Sequence, residues 1–287
     1  MKKQILAAVL AGATILGTLP MCAFADDLEK ITVAATPAPH AEILEFAKPI
    51  LEEAGYELEV QVFEDYVQPN NVVESGELDA NYFQHINYLN AFNEEQGTHL
   101  VNAGEIHYEP FGIYAGQKAS LDEVADGDTI GVPNDTTNEA RALLLLEAQG
   151  LITLDPEAGI TATPEDITDN PFNLEIEPFE AAQVARHIDE VSYVVLNGNY
   201  ALEAGVNAGT DALAVEAADS DAIQQYVNII TVKEGNENEP KIQALVEVLK
   251  SDEVKAFIEE TWSGAVVPYE VDGAAETEAE IVETEAE

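Results

Sequence analysis

The sequence predicts an α/β fold, and three observations predict it. Ile31 to Ala35 reads as a strand, Ala41 to Ala54 as an amphipathic helix closed by Gly55, and Leu58 to Phe63 as a second strand. A strand–helix–strand unit makes a parallel sheet the expectation. The same alternation then recurs along most of the chain, which is the mark of an α/β layer architecture. Finally, 287 residues with 46% hydrophobic content can bury a real core, as one large domain or two ordinary ones.

The elements follow in order. Thr36-Pro37-Ala38-Pro39-His40 is a turn, and Asp65 to Asn70 is a loop that leads into a short helix ending at Ser75-Gly76. Leu89 to Gln96 is helical, Leu100-Val101 opens a strand, and Ile113 to Ala115 forms another. Ser120 is an N-cap with Glu123 as its capping-box partner. Thr129 to Val132 is a buried strand, and Pro133 to Asn138 leads into a strong helix over 139–149 that Gly150 stops. Thr163-Pro164-Glu165-Asp166 starts a further short helix. Leu174 to Ile176 is a strand, 181–187 a helix, and Tyr193 to Leu196 a strand that ends on Asn197-Gly198-Asn199-Tyr200. Val227 to Val232 is the last clear strand, and 239–249 and 252–261 are closing helices. The acidic tail, 273–287, has few large apolar residues and is expected to be disordered.

Charge excludes some functions. With 11 basic and 56 acidic residues the net charge is −45, which argues against nucleic acid and against a basic patch for anionic lipid. Residues 1–25 read as a signal peptide: Lys2 and Lys3, an apolar run from Ile5 to Leu19, then Ala23-Phe24-Ala25 as a small-x-small cleavage pattern. The protein is therefore expected outside the cytoplasm, and no later apolar run is long enough to span a bilayer. Cys22 is the only cysteine, so no internal disulfide can form. Leu19-Pro20-Met21-Cys22 faintly resembles a lipoprotein signal, in which Cys22 would carry lipid. Met21 fits it poorly, and cleavage after Ala25 would remove Cys22.

Leu78 to Leu89 organises the chain. Asp79-Ala80-Asn81-Tyr82-Phe83-Gln84-His85 packs rings and amides into a few residues and follows neither a clean strand nor a clean helix period. Tyr82, Phe83 and His85 can wall an apolar slot, with Asn81 and Gln84 fixing polar atoms beside it, as in small-molecule pockets. The other reading is a helix start whose rings pack into the core. Asn134 to Arg141 is the second such stretch, where a strand end passes to a helix near Asn138, the place at which open α/β sheets bind ligands. A helix start favours an anion, and Arg141 can grip a carboxylate with two parallel hydrogen bonds. The alternative for Arg141 is an ion pair with a neighbouring acid. Asn197-Gly198-Asn199 follows a buried strand and is either a ligand loop or a plain turn. Asn228, inside an apolar strand, must find a partner.

Enzyme readings find little support. The five histidines (40, 85, 99, 107 and 187) lack paired metal-ligand spacing, so no metal site is expected. No Gly-x-Ser-x-Gly elbow, Walker loop or dinucleotide glycine fingerprint occurs, and no thiol lies beyond the leader. No cofactor is expected.

Asp65-Tyr66-Val67-Gln68-Pro69-Asn70, Leu78 to His85, Val132-Pro133-Asn134-Asp135 with Asn138 and Arg141, Asn170-Pro171, Asn197 with Tyr200-Ala201, and Tyr226-Val227-Asn228 occur in one order over residues 30–268. In these motifs the chain resembles the NlpA lipoprotein family, the methionine-binding solute-binding proteins of ABC importers. The resemblance implies a two-lobed periplasmic-binding-protein fold, type II-like, with the ligand cleft between lobes and a hinge closure that traps the ligand. It implies lobe 1 over 26–112 and 227–272, with lobe 2 over 113–226. Tyr66, Tyr82, Phe83, His85 and His107 would line the side-chain slot, which suits a thioether. Arg141 would hold the ligand carboxylate, while Asn138, Asn197 and Asn228 would fix the head group. The implied function is binding of L-methionine, with D-methionine, a methionine dipeptide or another amino acid as alternatives, and delivery to the permease subunits of an ABC importer. A surface interaction protein without a transport role is the more distant alternative. A monomer is expected. The family pattern also implies a lipid anchor on Cys22 at the outer face of the cell membrane.

Overall fold

A computed structural model describes residues 28–217 and 225–270. The expected signal peptide with Cys22, and the acidic tail, lie outside the described residues. In chain order the main elements are β1 (Glu29–Ala35), α1 (Glu42–Glu53), β2 (Tyr56–Val62), α2 (Gln68–Glu74), β3 (Ala80–His85), α3 (Ile86–Gln96), β4 (Leu100–Tyr108), β5 (Gly112–Ala115), β6 (Thr129–Pro133) and α4 (Thr136–Ala148). There follow β7 (Thr153–Leu154), β8 (Ile167–Asp169), β9 (Glu175–Phe179), α5 (Ala181–Val184), β10 (Tyr193–Leu196), α6 (Gly198–Glu203) and β11 (Ala214–Val215). The chain closes with β12 (Val227–Lys233), α7 (Pro240–Leu249), α8 (Asp252–Trp262) and β13 (Val267–Pro268). Among the described residues no helix is long and apolar enough to cross a membrane.

Two large sheets organise these elements. The first has the order β13-β4-β12-β3-β1-β2, and the second β11-β5-β10-β6-β9. β1 pairs in parallel with β2 and β3, as the strand–helix–strand reading expected. β12 lies antiparallel between β3 and β4, so the chain leaves the first sheet after Tyr108 and re-enters it at Val227. In the second sheet β6 runs parallel to β9 and β10, and β5 enters antiparallel to β10. Gly112 belongs to the second sheet, one residue earlier than the expected boundary. Each sheet has its own core. Ile31, Val33, Leu44, Ile230 and Leu245 belong to the first, and Ile113, Ile130, Leu143, Leu146 and Val195 to the second. This is the two-lobed periplasmic-binding-protein arrangement.

The structure revises several local expectations. Ala80 to His85 is a strand, and all six of its residues are buried. It runs between β1 and β12 inside the sheet and is covered on both faces, so nothing enforces an apolar–polar alternation. α4 begins at Thr136, three residues before the expected start, because Asp135 caps it: Asp135 Oδ1 accepts the Asn138 N–H at 3.1 Å. Ser120 caps only a single 3₁₀ turn, and Glu123 accepts from the Ala119 N–H at 3.3 Å instead of closing a box on Ser120. The helix expected over 181–187 is α5 followed by a 3₁₀ turn. Gly55 and Gly150 do end their helices, at φ of 95° and 71°, where a side chain would be strained.

Candidate functional site

The site lies where strand ends from both sheets meet. β3 ends on His85, β4 runs out through His107 to Glu109, β10 ends before Asn197, and β12 begins at Asn228. From β6 the chain turns through Asp135 into α4, which carries Asn138 and Arg141 inward. Together they line a small, partly open pocket of about 20 Å³. Of the nine residues that the sequence proposed, Tyr66, Phe83, His85, Asn138, Arg141, Asn197 and Asn228 line it. Tyr82 and His107 do not. Both are fully buried behind the wall, where the Tyr82 hydroxyl donates to His107 Nδ1. Alternation along β3 explains the split, since Tyr82 and Phe83 point to opposite faces of one strand.

The apolar side of the cavity is aromatic. Phe83 and Tyr88 meet edge to face at 5.9 Å, and Tyr66 lies tilted 5.5 Å from Phe83. Tyr66 also reaches the second lobe, donating from its hydroxyl to Asn199 Oδ1 at 2.5 Å and leaning on Tyr200 at 4.9 Å. Tyr88 had no place in the sequence reading.

The polar side is a chain of amides and imidazoles. Asn138 Oδ1 accepts from Asn197 Nδ2 at 2.9 Å and from His85 Nε2 at 3.1 Å, while Asn138 Nδ2 donates to Asp135 at 2.8 Å. His85 Nδ1 in turn accepts the Tyr88 N–H at 3.1 Å, which fixes the proton on Nε2. Burial and then Arg141 push the His85 pKa down to about 3, so the ring is neutral. Asn197 Oδ1 is buried and without a partner among the described residues. Asn228 finds the partner that its strand position demanded: His40 Nε2 donates to its Oδ1 at 3.0 Å.

Arg141 is almost fully buried and forms the ion pair with an acid that was the alternative reading of it. Its Nε donates to Glu216 Oε2 at 2.9 Å and a terminal nitrogen bonds Glu216 Oε1, so Glu216 takes one edge of the fork. The same nitrogen donates to the Glu109 carbonyl at 3.0 Å, and the guanidinium stacks over Tyr226 and Phe111 at 4.1 and 4.7 Å. Burial disfavours its charge, but Glu216 outweighs burial and raises the pKa. Two parallel bonds to a ligand carboxylate are therefore not available at the Glu216 edge; among the described residues no hydrogen bond engages the other terminal nitrogen.

Sequence spacing gave no hint of the last group. His40 comes from the turn after β1, His107 and Glu109 from the end of β4, and the three lie together, buried. His107 Nε2 donates to Glu109 Oε1 at 2.8 Å, and His40 Nε2 lies 3.3 Å from the same oxygen. The ligand atoms fall within 4.8 Å of one another, a spacing that could hold a metal ion. Both nitrogens of each ring already have partners, with Thr36 Oγ1 at 2.8 Å on His40 Nδ1 and Tyr82 on His107 Nδ1. The arrangement is a hydrogen-bonded carboxylate. Burial pushes the pKa of His40 to about 4 and that of His107 to about 3, and it raises that of Glu109.

A sequence profile of the NlpA lipoproteins matches residues 31–270. The chain is 42% identical to the methionine-binding lipoprotein MetQ of Bacillus subtilis strain 168 over 93% of its own length and 99% of that protein. A solved structure from Ruminococcus gnavus ATCC 29149 is 67% identical with a TM-score of 0.83, covering 84% of this chain and all of that one. A nutrient binding protein from Burkholderia cenocepacia, solved bound to methionine, is 38% identical with a TM-score of 0.80 over 84% of this chain and all of its own. The chain belongs to the NlpA lipoprotein family.

Proposed function

We propose that this protein binds L-methionine outside the cytoplasm and delivers it to the permease subunits of an ABC importer. It carries out no reaction and needs no cofactor. One observation carries the reading: a pocket with an aromatic wall on one side and a guanidinium with amides on the other. An unbranched thioether fits Tyr66, Phe83 and Tyr88, where sulfur–ring contacts add roughly 0.3–1.5 kcal/mol each. Arg141 would meet the carboxylate through its free edge, with Asn138, Asn197 and Asn228 orienting the head group. Tyr82 and His107 would support the wall from behind. The name of the Bacillus relative and the methionine in the Burkholderia structure agree with this reading. D-methionine, a methionine dipeptide or another amino acid are the neighbouring ligands to exclude.

Lobe 1 would comprise 26–111 and 227–272, and lobe 2, which takes Gly112 with β5, would comprise 112–226, closing as a monomer on the ligand. The mature protein would sit at the outer face of the cell membrane, held by lipid on Cys22 or released by cleavage after Ala25. Mass spectrometry of the mature N-terminus separates these two, since an unmodified Asp26 at the start rules out the anchor. The test of function is calorimetry on protein unfolded, stripped of ligand and refolded. Saturable one-to-one binding of L-methionine is expected, and no heat and no thermal shift would overturn the assignment.

A further inference from the structure

Asp135 stands between the lobes, and its two oxygens are treated unequally. Oδ1 accepts three hydrogen bonds, from the Asn138 N–H at 3.1 Å, Asn138 Nδ2 at 2.8 Å and Thr137 Oγ1 at 3.4 Å. Oδ2 is buried and has no partner among the described residues. A cavity of about 100 Å³ lies on one side of Asp135 and one of about 40 Å³ on the other. Tyr66 and Tyr88 wall the larger from the first lobe, and Glu180 and Tyr200 from the second. Phe92 and Glu95 of α3 wall the smaller, and Glu95 Oε1 accepts from Thr136 Oγ1, beside Asp135, at 2.7 Å. Closing the lobes is therefore what takes Asp135 out of water.

The surroundings supply no counter-ion. Glu139 lies along α4, Glu95 faces from α3, Glu180 from the chain before α5, and Asp65 from the loop before α2. The three tyrosines are uncharged, and no Lys, Arg or His is among the described residues that line either cavity. Arg141, further along α4, is held by Glu216. A buried carboxylate among acids, with one oxygen bare, lowers its free energy by taking a proton. Burial accordingly raises the Asp135 pKa to about 6. With the lobes apart, the same side chain would be a hydrated N-cap near the ordinary carboxylate value of about 3.9.

We propose that Asp135 is a proton switch on lobe closure: the cleft closes on its ligand with a proton on Asp135 Oδ2, so acid strengthens retention and a rise in pH loosens it. This inference rests on the methionine reading and adds a regulation to it. The sign follows from linkage. The closed form has the higher pKa, so closing takes up a proton. The gain in affinity is complete below about pH 4 and lost as pH rises through about 6.

The test is titration calorimetry with L-methionine on the stripped and refolded full chain, comparing the parent with Asp135→Asn. Both are measured at about pH 5 and about pH 7.5, in pairs of buffers that differ in ionisation enthalpy. Asparagine keeps the Oδ1 acceptor and puts an uncharged N–H group where the proton would sit. The ratio of parent to variant affinity should rise about tenfold from the higher pH to the lower. At the lower pH the parent should take up about 0.8 proton more per ligand than the variant. His85 and Glu203, which burial pushes down to about 3 and up to about 7, also titrate on closure, but both proteins carry them and they cancel in the ratio. A ratio that stays constant, or equal proton uptake by the two proteins, overturns the switch and leaves the methionine reading standing. Parent affinity at the higher pH that sodium or potassium chloride, but not tetramethylammonium chloride, lifts to its acid value also overturns it and gives Oδ2 to a metal cation. A parent that binds no L-methionine at either pH brings down the methionine reading and the switch with it. Should Asp135→Asn fail to fold by circular dichroism, Asp135→Ser, which also caps a helix, carries the same comparison.

Discussion

Arg141 is where stability and binding can be pulled apart. The Arg141–Glu216 pair is deeply buried, with side chains 5% and 11% exposed. Arg141→Met would keep the apolar stem against Tyr226 and Phe111 but leave Glu216 with only the Tyr108 hydroxyl and the Phe111 N–H. An uncompensated buried charge costs about 3–5 kcal/mol. In a domain of this size each kcal/mol moves Tm by about 2–4 °C, so the single variant should melt about 6–20 °C lower. Replacing both partners, as Arg141→Met with Glu216→Leu, removes the orphaned charge, and a swap of that kind is often neutral or stabilising. The double variant should therefore recover most of the lost Tm. It should still lose L-methionine affinity by about 10- to 150-fold, because the ligand carboxylate has lost its cation. Differential scanning calorimetry and titration calorimetry on the parent, the single and the double variant check both halves. A double variant that melts as low as Arg141→Met refutes the pair argument. A double variant that binds as tightly as the parent refutes the carboxylate role.

Three smaller perturbations probe other walls of the site. Phe83→Leu should weaken L-methionine by only about 2- to 10-fold, since it removes one sulfur–ring contact, and titration calorimetry should place it well above Arg141→Ala in affinity. Gly198→Ala should weaken binding and lower Tm by the cost of overpacking, about 1–3 kcal/mol, because the new methyl meets Glu109 at 2.6 Å; an unchanged Tm and affinity would show that the lobes do not need this approach. Burial raises the Asp135 pKa to about 6, so the folded state holds a proton between pH 4 and 6 that the unfolded chain releases. Stability contributed by this group is thus present below pH 4 and lost as pH rises through 6, by about 2–3 kcal/mol. Asp135→Asn keeps a competent N-cap, and urea titrations across pH 4–7 should show a flatter profile than the parent; parallel profiles would refute the assignment.

How much of this was legible in the sequence depended on whether a local period carried the signal. β1, α1, β2, β6, β10 and β12 could be read because each carries a clear local pattern. β7, β8, β11 and β13 have two or three residues, too few to show a period, and α6 hides in the Asn-Gly-Asn run that also reads as a turn. β3 shows no period of either kind, because its side chains are buried on both faces. At the site, Arg141 and the asparagines announced themselves by being polar where the strand ends make ligands expected. Glu109 did not, since one carboxylate among 56 acids carries no information until its neighbours are known. His40 and His107 lie far apart in sequence, and only the pairing of β1, β3, β12 and β4 in one sheet brings them to the same oxygen.

The way the lobes meet explains why a site built like this can exchange ligand. Apart from Ala208 and Leu202, which pack on the first core, each lobe buries its apolar residues within itself. The contacts across the cleft are mostly polar and single: Tyr66 to Asn199, the Tyr200 hydroxyl to the Glu64 carbonyl at 3.1 Å, Thr136 to Glu95 at 2.7 Å, and His85 to Asn138. A bond of this kind is worth about 0.5–1.5 kcal/mol net, because water replaces it on opening. Separating the lobes therefore trades a few hydrogen bonds for hydrated ones and leaves both cores intact, which is the default for lobes joined by a polar interface. The buried Asn197 Oδ1, which has no partner among the described residues, opposes closure on an empty cavity, because closing dehydrates it with nothing to pair. A ligand that pairs it removes that penalty, so the closed form is stabilised in proportion to how well the bound head group fits.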